Sequence, residues 1–119
     1  MKKILVVDDK PQIRDLVQAE FEDEGYKVIL ADGGKDAMSK LAEMKFVVDL
    51  VILDIKMPDI GGLEVLNQIK KQNKDIPVIL LSAYPTYKQD FTTWAAEDYV
   101  VKSSDLTELK QVASKYLSA

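Results

Sequence analysis

Histidine is absent from this chain of 119 residues, and so is cysteine. Without cysteine there is no disulfide, no thiolate metal site and nothing that demands an oxidising compartment. Without histidine there is no Ser-His-Asp or Cys-His triad and no imidazole-ligated zinc. Any phosphohistidine chemistry would need its histidine from another protein. Proline (4) and glycine (5) are sparse and scattered, so low-complexity segments and linkers are missing too. Excess positive charge is lacking: 16 basic residues against 20 acidic ones give a net charge of −4, which weighs against a broad nucleic-acid footprint. No long apolar run is present. The stretch Ile4-Leu5-Val6-Val7 after Lys2-Lys3 ends at Asp8-Asp9, too short for a signal h-region or a membrane span. A cytoplasmic protein without membrane contact is the expectation.

What remains is a composition of 47% hydrophobic and 30% charged residues. It describes one globular domain over residues 1–119, large enough to bury roughly two thirds of its unfolded surface. Asp49-Leu50-Val51-Ile52-Leu53-Asp54 organises it. Leu50 to Leu53 read as a strand buried on both faces, as in the middle of a parallel sheet. Ile4–Val7, Val28–Ala31, Pro77–Leu81 and Tyr99–Val101 read the same way. Between them lie amphipathic segments. The first runs from Pro11 to about Glu24, with Pro11 in its first turn and Gly25 at its C-cap. The second follows Gly33-Gly34 with Ala37, Met38, Leu41 and Ala42. The third follows a loop loosened by Gly61-Gly62 and carries Val65, Leu66 and Ile69. A fourth is expected over about Tyr87 to Ala95. The last is expected to start with a capping box from Asp105 and Glu108. Five strand-then-helix repeats predict a parallel α/β sheet with helices on both faces and right-handed crossovers.

In such a sheet all strand carboxyl ends share one edge, where ligands of open α/β sheets bind. The residues closing the strands are Asp8 and Asp9, Asp54, Ser82 and Lys102. Each has an ordinary reading alone: helix N-terminal charge, strand cap, turn hydroxyl, solvated lysine. Together, three converging carboxylates repel unless compensated. A hard divalent cation such as magnesium, which needs only a few carboxylates and a carbonyl, compensates them. With an ammonium and a hydroxyl added, the set suits a phosphoryl group and a carboxylate that attacks phosphorus.

Asp8-Asp9, Asp54, Met57-Pro58, Ser82-Ala83, Tyr99 and Lys102 resemble, in order and over essentially the whole chain, the receiver domain of two-component response regulators. The resemblance implies a flavodoxin-like, doubly wound five-stranded parallel sheet of order 2-1-3-4-5, a (βα)5 chain. It implies that Asp54 accepts a phosphoryl group from a histidine kinase or a His-containing phosphotransfer protein. Mg²⁺ would be held by Asp9, Asp54 and the backbone carbonyl of Lys56, with Asp8 acting through a water. Ser82 and Lys102 would hold the phosphoryl oxygens. Ser82 and Tyr99 would be the switch that reshapes the face of the fourth helix, fifth strand and last helix. That face would meet a downstream protein, and members of the family can dimerise through it. The only reactions implied are self-catalysed phosphorylation and dephosphorylation, not those of an enzyme with turnover.

Three departures stand out. The family's lysine is usually followed by a cis proline, whereas Lys102 precedes Ser103; either a trans bond with a rearranged loop or a strained cis bond is expected. Ala95-Ala96 replaces a common Gly-Ala ahead of Glu97-Asp98, beside Trp94. Lys56 and Tyr84 occupy the variable positions flanking the acceptor and would influence the phosphoryl lifetime. A pseudo-receiver, an interaction module without phosphorylation, is the competing reading. A flavodoxin-type flavin site is disfavoured because Asp8-Asp9-Lys10-Pro11 is no hydroxyl- and Gly-rich phosphate loop. A haloacid-dehalogenase-type phosphatase would carry an acid where Lys56 stands.

Overall fold

The computed structural model describes residues 1–83, 95–103 and 105–118. In chain order the elements are β1 (Lys3–Val7), α1 (Pro11–Asp23), β2 (Lys27–Ala31), α2 (Gly34–Glu43), β3 (Leu50–Asp54), α3 (Gly62–Gln72), β4 (Val78–Ser82), β5 (Asp98–Val101) and α4 (Thr107–Leu117). All strand pairs are parallel and the order is β2-β1-β3-β4-β5. This is the flavodoxin-like arrangement expected.

Why the strands read as unbroken apolar runs is visible in the core. Side chains alternate across the sheet with period two. Ile4, Val6, Leu50, Ile52, Ile79 and Leu81 pack on one face with Val17 and Phe21 of α1 and Leu109 and Ala113 of α4. Leu5, Val7, Val51, Leu53, Val78 and Leu80 pack on the other with Ala37 and Leu41 of α2 and Val65, Leu66 and Ile69 of α3. A strand covered on both faces has no polar side to show, so the runs are uninterrupted. Among the described residues no helix is long and apolar enough to cross a membrane.

Most expected boundaries hold within a residue or two. Gly25 has a φ of 94° just beyond α1, and its N–H bonds to the Glu22 carbonyl, as a C-terminal glycine does. The capping box at the last helix is not formed. α4 begins at Thr107 after Leu106, which provides no side-chain cap. Asp105 instead accepts the Thr107 N–H at 2.9 Å and hydroxyl at 2.6 Å, a local turn that competes with the box. The helix expected over about Tyr87 to Ala95 lies outside the described residues except for Ala95, as do Tyr84 and Trp94.

The free edge of β2 is covered by α2. The Lys40 ammonium donates to the Leu30 carbonyl, and Asp36 accepts the Asp32 N–H at 3.1 Å. Lys40 and Asp36 also pair with each other at 3.1 Å. Two side chains thus occupy the acceptor and donor that another strand would use, a common defence of sheet edges.

Candidate functional site

The parallel sheet brings the strand ends to one side. Asp8 follows β1, Asp54 is the last residue of β3, Ser82 the last of β4, and Lys102 follows β5. Ser82 and Lys102 are also tied through the backbone, the Lys102 N–H donating to the Ser82 carbonyl at 2.7 Å. Asp8, Asp54 and Ser82 are the only buried polar or charged side chains among the described residues, at 2%, 3% and 1% exposure. Three such groups at one edge of a closely packed core need a compensating chemistry.

Asp8 is held by its own turn. Its Oδ1 accepts the Lys10 N–H at 2.9 Å, and its carbonyl accepts the Arg14 guanidinium of α1 at 2.8 Å. Lys102 Nζ lies 2.9 Å from Asp8 Oδ2 and 3.3 Å from Asp54 Oδ1. The approach to Asp8 Oδ2 is a charge contact without hydrogen-bond alignment. Asp8 Oδ2 and Asp54 Oδ2 are both buried and receive no hydrogen bond among the described residues. Burial, and then the neighbouring Asp8 charge, push the Asp54 carboxyl up to about 6, against the opposing pull of Lys102. Burial disfavours the Lys102 ammonium, but the Asp8 and Asp54 carboxylates outweigh it and raise its pKa.

Asp9 is half-buried beside them, its carboxylate 3.4 Å from Lys10 Nζ. One oxygen from each of Asp8, Asp9 and Asp54 lies within 4.8 Å of the others. Three carboxylates against the Lys102 and Lys10 ammonium groups leave one negative charge unbalanced. Two buried oxygens without a hydrogen bond and a net negative charge fit a hard divalent cation with oxygen ligands. Lys56 is exposed in the loop after β3, two residues beyond Asp54. Tyr99 is half-buried on β5 and packs against the α2 and α3 side of the core.

No cis peptide bond occurs among the described residues, so Lys102–Ser103 is trans. Even so, the Lys102 ammonium reaches both carboxylates. The strand-end tie to Ser82 fixes the lysine backbone before the departure at Ser103 begins.

Reading the sequence missed Arg14, whose position one turn into α1 after the acidic pair was its signal. It also missed Asp59, which follows Pro58 and bonds to the start of α2. Gly61-Gly62 was misread as a loosening pair. Gly62 is the first residue of α3, and its N–H donates to the Ile55 carbonyl at 2.7 Å. A Cβ there would sit 2.0 Å from the Asp54 carbonyl oxygen. The absence of a side chain serves close approach, not flexibility.

Comparison with known proteins agrees with this geometry. The family model of the response regulator receiver domain matches residues 4–114. Response regulator SaeR of Staphylococcus aureus is 40% identical over 112 residues, 92% of this chain and 47% of SaeR. The chain thus spans about half the length of the curated relatives it matches. Response regulator protein TrrA from Thermotoga maritima, solved in complex with Mg²⁺-BeF, is 49% identical with a TM-score of 0.92, covering 98% of this chain and 99% of that one. A complex of histidine kinase ThkA with TrrA contains a similar chain, 50% identical with a TM-score of 0.90 and the same coverage. Chemotaxis protein CheY4 of Vibrio cholerae is 29% identical at a TM-score of 0.86, with 98% of both chains covered. By this family match and these relatives, the chain belongs to the response regulator receiver domain family.

Proposed function

We propose that residues 1–119 form one receiver domain, a cytoplasmic phosphorylatable switch whose phosphoacceptor is Asp54. The observation that carries this reading is the Asp54 carboxylate itself. It is buried at a strand end, has one oxygen on the Lys102 ammonium and the other without a donor, and stands beside two further acids. A carboxylate oxygen without a donor keeps its lone pairs for an electrophile, and the neighbouring ammonium stands ready to receive the product's charge.

The donor would be a phosphohistidine of a histidine kinase or phosphotransfer protein, since this chain has no histidine. A complex of the related TrrA with a histidine kinase supports that class of partner. An Asp54 oxygen attacks phosphorus, and the phosphorus–nitrogen bond breaks. Its electron pair returns to the imidazole, which takes a proton from solvent. The product is an acyl phosphate on Asp54. Asp9, Asp54 and the Lys56 carbonyl would hold Mg²⁺, with Asp8 acting through a water. The ion, when bound, supplies positive charge against the phosphoryl oxygens. Lys102 shifts its ammonium from the free carboxylates to a phosphoryl oxygen, and the Ser82 hydroxyl donates to another. Dephosphorylation is attack of water on phosphorus, releasing phosphate and restoring the carboxylate.

Drawing Ser82 toward the phosphoryl group opens space on β4, and Tyr99 on the adjacent β5 rotates inward. The face around β5 and α4 then changes for a downstream protein or a second copy, a local charge event biasing a bistable packing. Lys56, two residues beyond the acceptor, would set part of the phosphoryl lifetime; Tyr84, expected from the sequence to share that role, lies outside the described residues.

The test is incubation with acetyl phosphate, read by intact mass. One phosphoryl group per chain is expected, dependent on Mg²⁺ and lost in Asp54→Asn. No uptake under any condition would overturn the proposal and favour a pseudo-receiver acting only through protein contacts.

A further inference from the structure

The loop between β3 and α3 carries the carbonyl of Lys56, and it is pinned at both ends. The inner pin is the Gly62 N–H on the Ile55 carbonyl. The outer pin is Asp59. Its Oδ1 accepts the Gly34 N–H at 3.1 Å and its Oδ2 the Lys35 N–H at 3.0 Å. These are orphan donors in the first turn of α2, and the residue ahead of that helix, Gly33, has no side chain to cap them. The cap of α2 is therefore supplied by another loop, about 25 residues later in the chain.

The fit is close on both sides. A Cβ on Gly33 would lie 2.9 Å from both Asp59 carboxylate oxygens, and one on Gly34 would lie 2.7 Å from Ile60 Cβ and 2.8 Å from Val65 Cγ2. The two glycines let α2 and the loop meet. The N–H groups of Lys35, Ile60 and Gly34 hold the Asp59 carboxyl down at about 2, so it stays ionised as a cap at any working pH. Asp59 is not among the three acids that cluster at the strand ends. It lies three residues from Lys56 and acts on the outer half of the loop.

We propose that Asp59 is a positioning residue for the divalent cation: by clamping the loop to the start of α2 it fixes where the Lys56 carbonyl is presented. The proposal rests on the reading of Asp9, Asp54 and Lys56 as the metal site. Mg²⁺ demands near-ideal octahedral geometry at about 2.0–2.1 Å, so a ligand on a loosened loop binds it poorly. Outer groups that hold a metal ligand in place commonly change metal affinity about tenfold or more.

The test measures Mg²⁺ affinity of the full chain by isothermal titration calorimetry, with Tm measured alongside. Asp59→Ala is expected to raise the Kd about tenfold. Asp59→Asn loses the same charge but keeps one of the two acceptor oxygens, and its Kd is expected to fall between those of the parent and Asp59→Ala, which separates clamping from simple electrostatics. Asp36→Ala loosens the start of α2 by another route, since Asp36 accepts the Asp32 N–H there. It should lower Tm and leave the Kd unchanged. An unchanged Kd in Asp59→Ala with a lowered Tm would reduce Asp59 to a helix cap, and an equal loss in Asp59→Asn or Asp36→Ala would also overturn the proposal. Absence of Mg²⁺ binding by the parent chain would overturn the metal site itself, an outcome distinct from the others.

Discussion

Gly61 and Gly62 are neighbours with the same side chain, and replacing each by alanine should have opposite effects. At Gly62 the new Cβ would stand 2.0 Å from the Asp54 carbonyl oxygen, 2.7 Å from Ile55 Cα and 2.9 Å from the Asp54 carbonyl carbon. A carbon and a carbonyl oxygen approach no closer than about 3.3 Å. Backbone must therefore move by more than 1 Å, on the order of a full bond length, and neither partner is free to move. β3 is fully buried at the centre of the sheet. α3 is held by Val65, Leu66 and Ile69, each 0% exposed. Overpacking of this kind costs about 1–3 kcal/mol, and loss of the Gly62 N–H bond to Ile55 adds about 1 kcal/mol. The expected destabilisation is about 2–4 kcal/mol.

Gly61 has φ −63° and ψ 148°, which any residue adopts, and a Cβ there would meet nothing nearer than the Ile55 carbonyl at 3.9 Å. Gly61→Ala should stabilise by about 0.4–1 kcal/mol, through the unfolded chain alone. The assay is thermal and urea unfolding of both variants. For a chain of this size about 4 °C of Tm accompanies each kcal/mol, so Gly62→Ala should melt about 8–16 °C lower and Gly61→Ala slightly higher. Because the displaced atom belongs to Asp54, folded Gly62→Ala should also take up phosphate from acetyl phosphate more slowly. Gly62→Ala within 0.5 kcal/mol of the parent, the margin of an ordinary surface change, would refute the close-approach argument.

Glu97, just ahead of β5, accepts the Val78 N–H at 2.7 Å and pairs with Lys70 of α3 at 2.8 Å. Glu97→Ala leaves the Val78 donor unsatisfied and should destabilise by about 1–3 kcal/mol, whereas Glu97→Gln, which keeps an acceptor, should lose less than half of that in urea unfolding. The Asp59 carboxyl, lowered from 3.8 to about 2 when folded, stabilises the fold above pH 3.8 and loses that contribution as pH falls through 2. NMR titration of its carboxyl carbon should show a midpoint near 2, and Asp59→Asn should flatten the acid limb of Tm against pH. Lys40→Met removes the ammonium that covers the Leu30 carbonyl on the open edge of β2. A larger dimer fraction than in the parent chain is expected by light scattering at high concentration, and an unchanged fraction would show the cover to be dispensable.

The fold was legible because its signal is redundant. Five apolar runs of strand length, each followed by helical periodicity, leave one economical arrangement, and the buried strands have no polar face to confuse the pattern. The convergence of the candidate side chains was legible for a related reason: each is the first polar residue after an apolar run, so strand register alone delivers Asp8, Asp54, Ser82 and Lys102 to one edge. What was not legible lies off the strands. Asp59 reads as one more acid after a proline, because its partners are backbone N–H groups of a helix about 25 residues earlier, and a backbone donor has no letter in a sequence. Gly62 reads like Gly61, because steric need depends on what lies opposite. The start of α4 slipped past Asp105 because a carboxylate can close a local turn as readily as it can cap a helix.

The site therefore divides by how its parts are held. The carboxylates, hydroxyl and ammonium stand on a sheet that cannot shift without breaking a core of Ile, Leu and Val on both faces. The Lys56 carbonyl stands on a loop held by one backbone bond, one distant carboxylate and the absence of three Cβ atoms. Placement of these side chains is thus insensitive to most single surface substitutions, while placement of the Lys56 carbonyl is sensitive to a few positions outside the acidic cluster. The trans bond at Lys102–Ser103 illustrates the first half. A loop departure beside a strand end leaves the ammonium in reach of Asp8 and Asp54, because the backbone tie to Ser82 acts before the loop does.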